Sequence, residues 1–323
     1  MKTGWKVVVG SLLVLLVISA GFGWGQSNYP NRSIELVIPY PPGGGSDIST
    51  AFFKERVSKL LGQPLVANYK QGAGGALGTV AVARSKPDGY TFLVGTHQNL
   101  VILPLMKDVG YTLNDFVPVC SFSETRLVWT VKDDSPYKTM QDFINAGKTK
   151  KMKVGNTGAM NAAAVIMEDL SKITGAQFIN IPINGTAFVQ SNVMGGHVDI
   201  GVSGGAAGMV GPGKNRILAV NGETRFELFP DVPTLKEMGY PVGHGIIHYA
   251  LWAPKGTPKE IVNKVYEIHK KIADENREEI NKIFKEAELV LRILNPEQLG
   301  KVYQVEHDYF AKKIKELDML KKQ

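Results

Sequence analysis

The apolar positions of the chain fall into short continuous runs that alternate with stretches of helical spacing. Residues 34–40 form one apolar run, and apolar side chains then recur at near-helical intervals from Ile48 to Leu61. This pattern predicts a strand followed by a helix over residues 46–61. The runs PLVANY and YTFLVGT predict two more strands, with a helix over residues 79–85 between them. Alternating strands and helices are typical of a parallel sheet with crossover helices.

A second cycle of the same kind begins near Lys153. The segment KVGNTGAMNAAAVIMEDLSKITG predicts a strand, a glycine turn and a helix, and FINIPIN, HVDIGVS and RILAVNG predict further strands. A helix is expected from Gly185 to Met194. Two amphipathic helices, over residues 258–287 and 296–322, are expected to close the chain.

Two extended apolar segments, residues 116–131 and 248–254, lie between these cycles. We expect them to connect two α/β lobes across a ligand cleft. The expected first lobe contains residues 27–126 and 248–323, and the expected second lobe contains residues 127–247.

The amino-terminal segment has the three parts of an export signal. Lys2 and Lys6 precede an apolar run of about 12 residues, which is shorter than the roughly 20 residues of a membrane-spanning helix, and small residues follow. Residues 1–26 are therefore interpreted as a cleaved signal peptide, with an uncleaved amino-terminal anchor as the alternative. Either interpretation places the protein in the periplasm or on the extracytoplasmic face of a membrane.

Charge and cysteine content exclude several functions. The net charge of the 323 residues is +7, but the lysines near the carboxyl terminus alternate with glutamates, as on solvated helix faces. Because basic residues are not interleaved with stacking aromatic residues, no nucleic-acid partner is expected. Cys120 is the single cysteine, so no internal disulfide can form, and we expect it to be buried in a strand.

The glycine-rich segment PYPPGGGSD indicates close approach of a ligand to the backbone, and an anion is the first hypothesis. A nucleotide P-loop is excluded because no lysine lies between Pro39 and Phe53. The segment GAGGALG matches a dinucleotide fingerprint only in part, since Leu77 occupies the third glycine position. The strand that follows also lacks the acidic residue that would hold a ribose.

Catalysis and metal binding have weaker signals. GVSGG, residues 201–205, matches the nucleophile motif Gly-x-Ser-x-Gly, and Asp231, His244 and His248 follow it. Glycine is so frequent here that a glycine-rich turn lining the cleft is the simpler interpretation. His244 and His248 have the spacing of a helical metal site, but the neighbouring glycines argue against a helix. We expect no enzyme activity, no metal and no cofactor.

Recognition of a carboxylate by backbone N–H groups is the function that remains. The loops PPGGGSD and GNTGAMN each enter a predicted helix. The free N–H groups and partial positive charge of a first helical turn bind an anion without an arginine. One such loop in each lobe would hold a molecule with two acceptor ends.

Residues 29–96, from YPNRSIELVIPYPPGGGSD to GYTFLVGT, closely resemble the Bug family, the solute-binding receptors of tripartite tricarboxylate transporters. The likeness continues through GNTGAMNAAA, INGTAFVQSNVMGGHVDIGVS, FPDVPTLKEMGY and LWAPKGTPKEIVNKVYEIHKKI. It implies a type II periplasmic-binding-protein fold, in which each lobe is a mainly parallel sheet flanked by helices and the lobes are hinged by two crossover segments. It also implies a monomer that captures a small carboxylate and delivers it to the membrane subunits of a transporter.

The resemblance further implies a set of ligand-binding positions. In the first lobe these are Gly43, Gly44, Gly45, Ser46 and Asp47, and in the second lobe Asn156, Thr157, Gly158, Ala159, Asn161, Gly185, Thr186 and Ser203. Thr96 and His97 are further candidates for ligand binding in the first lobe.

Several of these positions depart from the family's pattern and leave the ligand open. His97, Gln98 and Asn99 replace a serine-rich segment, and Ser203 stands where many relatives have an acidic residue. His97 is either a contact for the second end of the ligand or a packed histidine at the cleft rim. Asp47 is expected to hold a water, cap its helix or meet an ammonium group. A sensory receptor for a carboxylate and a Ser203 hydrolase are the alternative functions.

Overall fold

The protein is described here by a computed structural model over residues 29–205 and 208–322. The compact unit that contains the sheet begins at Arg32. The predicted export signal, residues 1–26, lies outside the described residues. Within the described ranges, none of the helices combines the length and the apolarity that crossing a bilayer requires.

The first cycle of strands and helices forms a parallel sheet, as predicted. Strand β1 (Ile34–Ile38) pairs in parallel with β2 (Leu65–Tyr69) and with β3 (Thr91–Gly95). Helix α1 (Gly45–Leu61) joins β1 to β2, and α2 (Ala76–Ala83) joins β2 to β3. Helix α2 begins three residues before the predicted Thr79, directly after a tight turn that ends at Gly75, whose φ is +99°.

A helical segment over residues 97–106, which the pattern did not predict, follows β3. It consists of a π-helical turn over Gln98–Ile102 and the short helix α3 (Leu103–Met106). Consecutive residues from Asn99 to Leu103 are all buried. A helix that is buried on every side has no apolar face and therefore no helical period in its sequence.

Strand β4 (Phe116–Lys132) is the first of the two predicted extended segments and belongs to both halves of the sheet. Its residues 116–126 pair antiparallel with β9 (Ile246–Pro254), while residues 127–132 pair with β7 (Ile200–Gly204) and β8 (Asn215–Val220). Cys120 is fully buried in this strand, as predicted, and burial raises the pKa of its thiol.

The second cycle forms another parallel set. Strand β5 (Met152–Asn156) pairs in parallel with β6 (Phe178–Pro182) and with β7. Three helices flank these strands: α4 (Met140–Thr149), α5 (Ala162–Thr174) and α6 (Thr186–Met194). The complete strand order is β2-β1-β3-β9-β4-β7-β5-β6, with β8 and the short β10 (Val290–Leu291) also paired to β4.

The carboxyl-terminal helices differ from the prediction. The expected helix over residues 258–287 is two helices, α7 (Lys259–Glu275) and α8 (Arg277–Glu286), because Asn276 adopts φ −124° and ψ 24° between them. Strand β10 (Val290–Leu291) follows, and the last helix, α9 (Pro296–Glu316), ends before Met319 instead of continuing to residue 322. The end of α9 reaches α5, where Lys313 Nζ lies 2.9 Å from Asp169 Oδ2.

A buried polar contact stabilises the region where β4 changes partners. The indole N–H of Trp129 donates to Asn221 Oδ1 at 2.7 Å, and Asn221 Nδ2 donates to the Val242 carbonyl at 3.2 Å. Trp129 and Asn221 are both fully buried. Asn221 therefore satisfies two buried groups that have no access to water.

Replacing Asn221 by alanine removes both hydrogen bonds. We expect Asn221→Ala to lower the free energy of unfolding by about 1–3 kcal/mol, because it leaves a buried donor and a buried acceptor without partners. Urea denaturation measures this change. Asn145→Ala, at an exposed amide on α4, is the control and should change stability by less than about 0.5 kcal/mol. Equal, small effects of the two substitutions would contradict this account of the core.

Candidate functional site

Two groups of loops leave the carboxyl ends of the parallel strands, where α/β sheets commonly bind ligands. The loops after β1 and β3 carry the predicted first-lobe residues, and the loops after β5, β6 and β7 carry those of the second lobe. The two groups are in direct contact, because Gln98 Nε2 donates to the Met160 carbonyl at 3.1 Å. The candidate ligand site lies where these loops meet.

Helix α1 begins without a side-chain cap. Its first residue follows Gly44, whose carbonyl accepts the N–H groups of Asp47 and Ile48 at 3.0 Å each. Among the described residues, the N–H groups of Gly45 and Ser46 have no acceptor. These two donors and the positive end of the helix dipole are available to an anion.

The Asp47 carboxylate stabilises the glycine loop and is not free. Its Oδ2 accepts the Gly43 N–H at 2.8 Å, and its Oδ1 accepts the hydroxyl of Tyr69. That hydrogen bond raises the pKa of Tyr69 to about 12. Of the roles expected for Asp47, these contacts favour a structural one at the start of its helix.

The loop after β5 is shaped by two buried amides. Asn156 Oδ1 accepts the Gly158 N–H and Asn161 Nδ2, each at 3.0 Å. Asn161 Oδ1 accepts the Ala164 N–H at 2.9 Å and so caps α5, while its Nδ2 lies 3.3 Å from Thr157 Oγ1. The side chains of Asn156 and Asn161 are used within the loop, which leaves the backbone of the loop to face a ligand.

Asn180 on β6 completes this loop and was missed by the sequence analysis. Its Oδ1 accepts Asn156 Nδ2, and its Nδ2 donates to the Ala159 carbonyl at 3.4 Å. The residue is on a neighbouring strand and in register with Val154. Only the strand pairing brings it to the loop.

Helix α6 also begins without a side-chain cap. Gly185 precedes it with φ +103°, and its carbonyl accepts the Val189 N–H at 3.1 Å. The N–H of Thr186 has no acceptor among the described residues. By contrast, α4 and α9 are capped by the side chains of Thr139 and Asn295. Uncapped starts therefore occur at the candidate site on both α1 and α6.

Thr96 and His97 pack inward beneath the loops. Thr96 donates its N–H to Asn99 Oδ1 at 2.9 Å, and its hydroxyl lies 3.0 Å from that of Tyr40. His97 is 3% exposed, and its Nδ1 lies 3.4 Å from Glu306 Oε2 on α9. These contacts favour the packed histidine, one of the two roles left open by the sequence.

Ser203 is fully buried with both of its hydrogen bonds made inside the protein. Its hydroxyl donates to the Gly205 carbonyl at 2.8 Å and accepts Gln190 Nε2 at 3.0 Å. The ring of His244 packs on Tyr309, and His248 Nδ1 lies 3.6 Å from Glu124. Residues 201–204 of the GVSGG segment are thus part of strand β7 and not the expected glycine-rich turn, and an amide, not a histidine, contacts the serine.

Tyr249 on β9 lies between the two groups of loops and was also missed, because it stands in an apolar strand. A methyl group on Gly45 would collide with its ring and hydroxyl, and one on Gly204 would lie 3.8 Å from the hydroxyl. Tyr249 thus contacts the first turn of α1 and the end of β7. Tyr249 could have been identified from the sequence as a tyrosine within a predicted buried strand. In the two-lobe fold such a strand faces a glycine-rich turn.

The candidate site contains no cationic side chain in its loops. Residues 39–47, 155–161, 182–187 and 203–205 include neither lysine nor arginine. Over residues 29–205 and 208–322, no three His, Cys, Asp or Glu side chains come together as metal ligands would. Attraction of an anion to this site would therefore depend on backbone N–H groups and helix dipoles.

An open pocket of about 520 Å³ lies away from these loops. It is bordered by Thr139 at the start of α4, by Ile217 on β8 and by Val232. The helix start at this pocket is already capped by Thr139, so its N–H groups are partly satisfied. We place the candidate site at the loops because the unsatisfied donors are there.

The buried pair His97 and Glu306 makes stability depend on pH. Burial raises the pKa of Glu306 from 4.5 to about 8 and lowers the pKa of His97 from 6.5 to about 3. Between pH 4.5 and 8 the folded protein retains a proton on Glu306 that the unfolded chain loses, so this contribution to stability falls as pH rises. The His97 contribution has the opposite sign and rises between pH 3 and 6.5. Buried His248 and His269, each with its pKa lowered to about 4, add to that rise.

We therefore expect stability to be greatest near pH 6.5 and to fall towards pH 8. In the variant Glu306→Gln, which cannot ionise, the fall between pH 6.5 and 8 should be absent. Urea denaturation at several pH values measures both curves, and the limiting slope is about 1.4 kcal/mol per pH unit for one proton. Glu297→Gln, an exposed substitution on the same helix, should keep the fall. A Glu306→Gln curve that still falls would show that another group is responsible.

Known proteins resemble the chain over most of its length. It is 36% identical over 253 residues to the UPF0065 protein in the gbd 5' region of Cupriavidus necator, with 76% of each chain covered. It is 32% identical over 261 residues to Protein BugT of Bordetella pertussis, covering 78% of this chain and 80% of BugT. A TctC solute-binding protein from Polaromonas, solved by crystallography, is 31% identical with a TM-score of 0.71, covering 89% of this chain and 99% of the other.

The family described as "Tripartite tricarboxylate transporter family receptor" matches residues 51–319. That range covers well over half of the chain. It includes every strand of the two parallel sets except β1. The likeness to the Polaromonas solute-binding protein confirms the α/β two-lobe fold expected from the resemblance. The chain therefore belongs to the tripartite tricarboxylate transporter family receptors, as a solute-binding protein of the Bug type.

Proposed function

We propose that the protein binds a small organic carboxylate between its two lobes, outside the cytoplasm, and delivers it to the membrane subunits of a tripartite tricarboxylate transporter. The observation that carries the proposal is the pair of uncapped helix starts, α1 and α6, one in each of the two groups of loops. The two groups are in contact through Gln98 and Met160, and two anion-binding helix starts would suit a ligand with two acceptor groups. No bond is made or broken in this function.

Each helix start would contribute modestly to the binding of a carboxylate. The N–H groups of Gly45 and Ser46 would donate to one end of the ligand, and that of Thr186 to the other. An anion at a helix N-terminus gains typically 0.3–1 kcal/mol at an exposed position and up to about 2 kcal/mol when partly buried. Hydrogen bonds to a charged group add about 1.5–3 kcal/mol each. Closure of the lobes would remove water and strengthen these terms.

The proposed hinge lies in β4. This strand changes pairing partners between Arg126 and Leu127, and its register with β9 shifts twice before that point. Under this proposal the first lobe comprises residues 27–126 and 248–323, and the second comprises residues 127–247. The contact of Lys313 with Asp169 would then join the lobes and limit their opening.

Carboxylate ligands are known for two solved proteins of the same fold from Rhodopseudomonas palustris. One holds malate and the other adipate, and each has a TM-score of 0.78 to this chain with 23% identity. At that identity the likeness concerns the fold, so the ligands belong to those proteins. They guide the choice of compounds for the test.

A thermal-shift screen of the purified protein against carboxylates tests the proposal. The panel contains citrate, C4–C6 dicarboxylates, acidic amino acids and aromatic acids, with neutral amides of the same size as controls. A ligand at 100 times its dissociation constant adds about 2.7 kcal/mol, which raises the melting temperature of a protein of this size by roughly 4 °C. If a well-folded, ligand-free protein responds to none of the carboxylates, the proposal is wrong.

A substitution at Gly44 tests the proposed position of the ligand. Gly44 has φ −88° and ψ 174°, which valine adopts readily, and a Cβ there would have only the Pro41 carbonyl within 4 Å, at 3.8 Å. We expect Gly44→Val to fold normally and to raise the dissociation constant at least about tenfold, or 1.4 kcal/mol, because the side chain covers the free N–H groups. Isothermal titration calorimetry measures the affinity. Gly44→Ala should have a smaller effect, and unchanged affinity in both variants would remove this loop from the site.

A further inference from the structure

Tyr249 is a largely buried residue whose hydroxyl has no hydrogen-bond partner among the described residues. Tyr249 is 9% exposed, and its oxygen makes no hydrogen bond to any described residue. Burial alone raises the pKa of this tyrosine, so its hydroxyl stays protonated and can donate. The hydroxyl oxygen is not one of the fully buried polar atoms without a partner, so it is open to solvent or to a ligand. Tyrosine combines an apolar ring with a polar hydroxyl that usually finds a hydrogen-bond partner.

Other tyrosines around this region are satisfied. Tyr40 bonds to Thr96 and Asn99, Tyr111 donates to the Asn99 carbonyl at 2.6 Å, and Tyr303 donates to the His248 carbonyl at 3.3 Å. These residues form the packed base beneath the loops. Tyr249 differs from them because its hydroxyl lies beside Gly45, in the first turn of α1, where the backbone donors are also unpaired.

The two glycines that contact Tyr249 come from different groups of loops. At Gly45 the absence of a side chain allows the phenol to lie against the helix start, and at Gly204 it leaves space below the hydroxyl. Three neutral donors therefore converge on one small region: the N–H groups of Gly45 and Ser46 and the hydroxyl of Tyr249. Such a cluster fits one carboxylate group with two oxygen acceptors.

We propose that Tyr249 is a ligand-binding residue, which donates its hydroxyl to the ligand carboxylate held by the first turn of α1. This inference rests on the proposed function, because it deepens the same site. Tyr249 would give the site a side-chain donor that lies on a strand, outside both groups of loops. Tyr249 lies on strand β9, which pairs with β4. Because β4 belongs to both halves of the sheet, the hydroxyl donor lies next to the strand that connects them. The proposed ligand is a carboxylate that accepts hydrogen bonds from neutral donors and contacts no cationic side chain.

The variant Tyr249→Phe removes the hydroxyl and keeps the ring. We expect the dissociation constant for the carboxylate identified by the screen to rise at least about tenfold, because a hydrogen bond to a charged group is lost. The melting temperature of the ligand-free protein should not fall, because the lost hydroxyl had no protein partner. A purely structural tyrosine would behave in the opposite way, with lower stability and unchanged affinity.

Tyr303→Phe is the matched control, because Tyr303 is a buried tyrosine whose hydroxyl is satisfied. It should lower the melting temperature and leave the dissociation constant unchanged. Gly45→Ala provides a second variant, since its methyl group would displace the Tyr249 ring, and it should also weaken binding.

The outcomes separate this inference from the proposed function. If the wild-type protein binds a carboxylate and Tyr249→Phe binds it equally well, the role of Tyr249 is wrong while the proposed function stands. If Tyr249→Phe does not fold, unchanged binding by a folded Gly45→Ala variant overturns the inference in the same way. If the wild-type protein binds none of the carboxylates, both fail.

Discussion

Hydrogen bonding along strand β4 connects the two halves of this protein. Its first part pairs with β9 and β10, and its last six residues pair with β7 and β8. The parallel strands on each side end in loops, and the shared strand brings these two groups of loops into contact. The contact of Gln98 with Met160 and the position of Tyr249 between Gly45 and Gly204 both follow from that connection.

The site built in this way has donors but no cations in its loops. Helices α4 and α9 are capped by the side chains of Thr139 and Asn295, whereas α1 and α6 begin after glycines without a side-chain cap. Glycine at these positions gives up a side-chain cap, which costs roughly a few tenths of a kcal/mol, and leaves N–H groups open. A bound carboxylate would restore those hydrogen bonds, so that binding and local stability are linked.

Much of the framework could be predicted from the sequence, because it depends on local patterns. The spacing of apolar residues and the glycines that end each element predict three features of the fold. These are the alternation of strands and helices, the start of α1 near Ser46 and the burial of Cys120. The segment 97–106 could not be recognised, since a fully buried helix has no periodicity. The break at Asn276 was missed because both flanking helices continue the same amphipathic pattern.

The contacts of the site residues required the tertiary structure. His97 is paired with Glu306, more than 200 positions away in the sequence, and Asn180 reaches its loop only through strand pairing. Tyr249 lies in a segment whose sequence predicts an ordinary apolar strand. Sequence resemblance predicted which loops carry the site, whereas the packed base and the position of Tyr249 depend on tertiary contacts that no local sequence pattern shows.

The central claim, that backbone amides at the starts of α1 and α6 hold the carboxylate, can be tested most directly by amide-resolved NMR. Titration of the deuterated, ¹⁵N-labelled protein with the carboxylate found by the screen would report each N–H separately. The account predicts the largest shift changes at Gly45, Ser46 and Thr186, with little change at Thr139 and Met140 beside the distant pocket. Large changes confined to that pocket, with the amides of α1 and α6 unaffected, would contradict it.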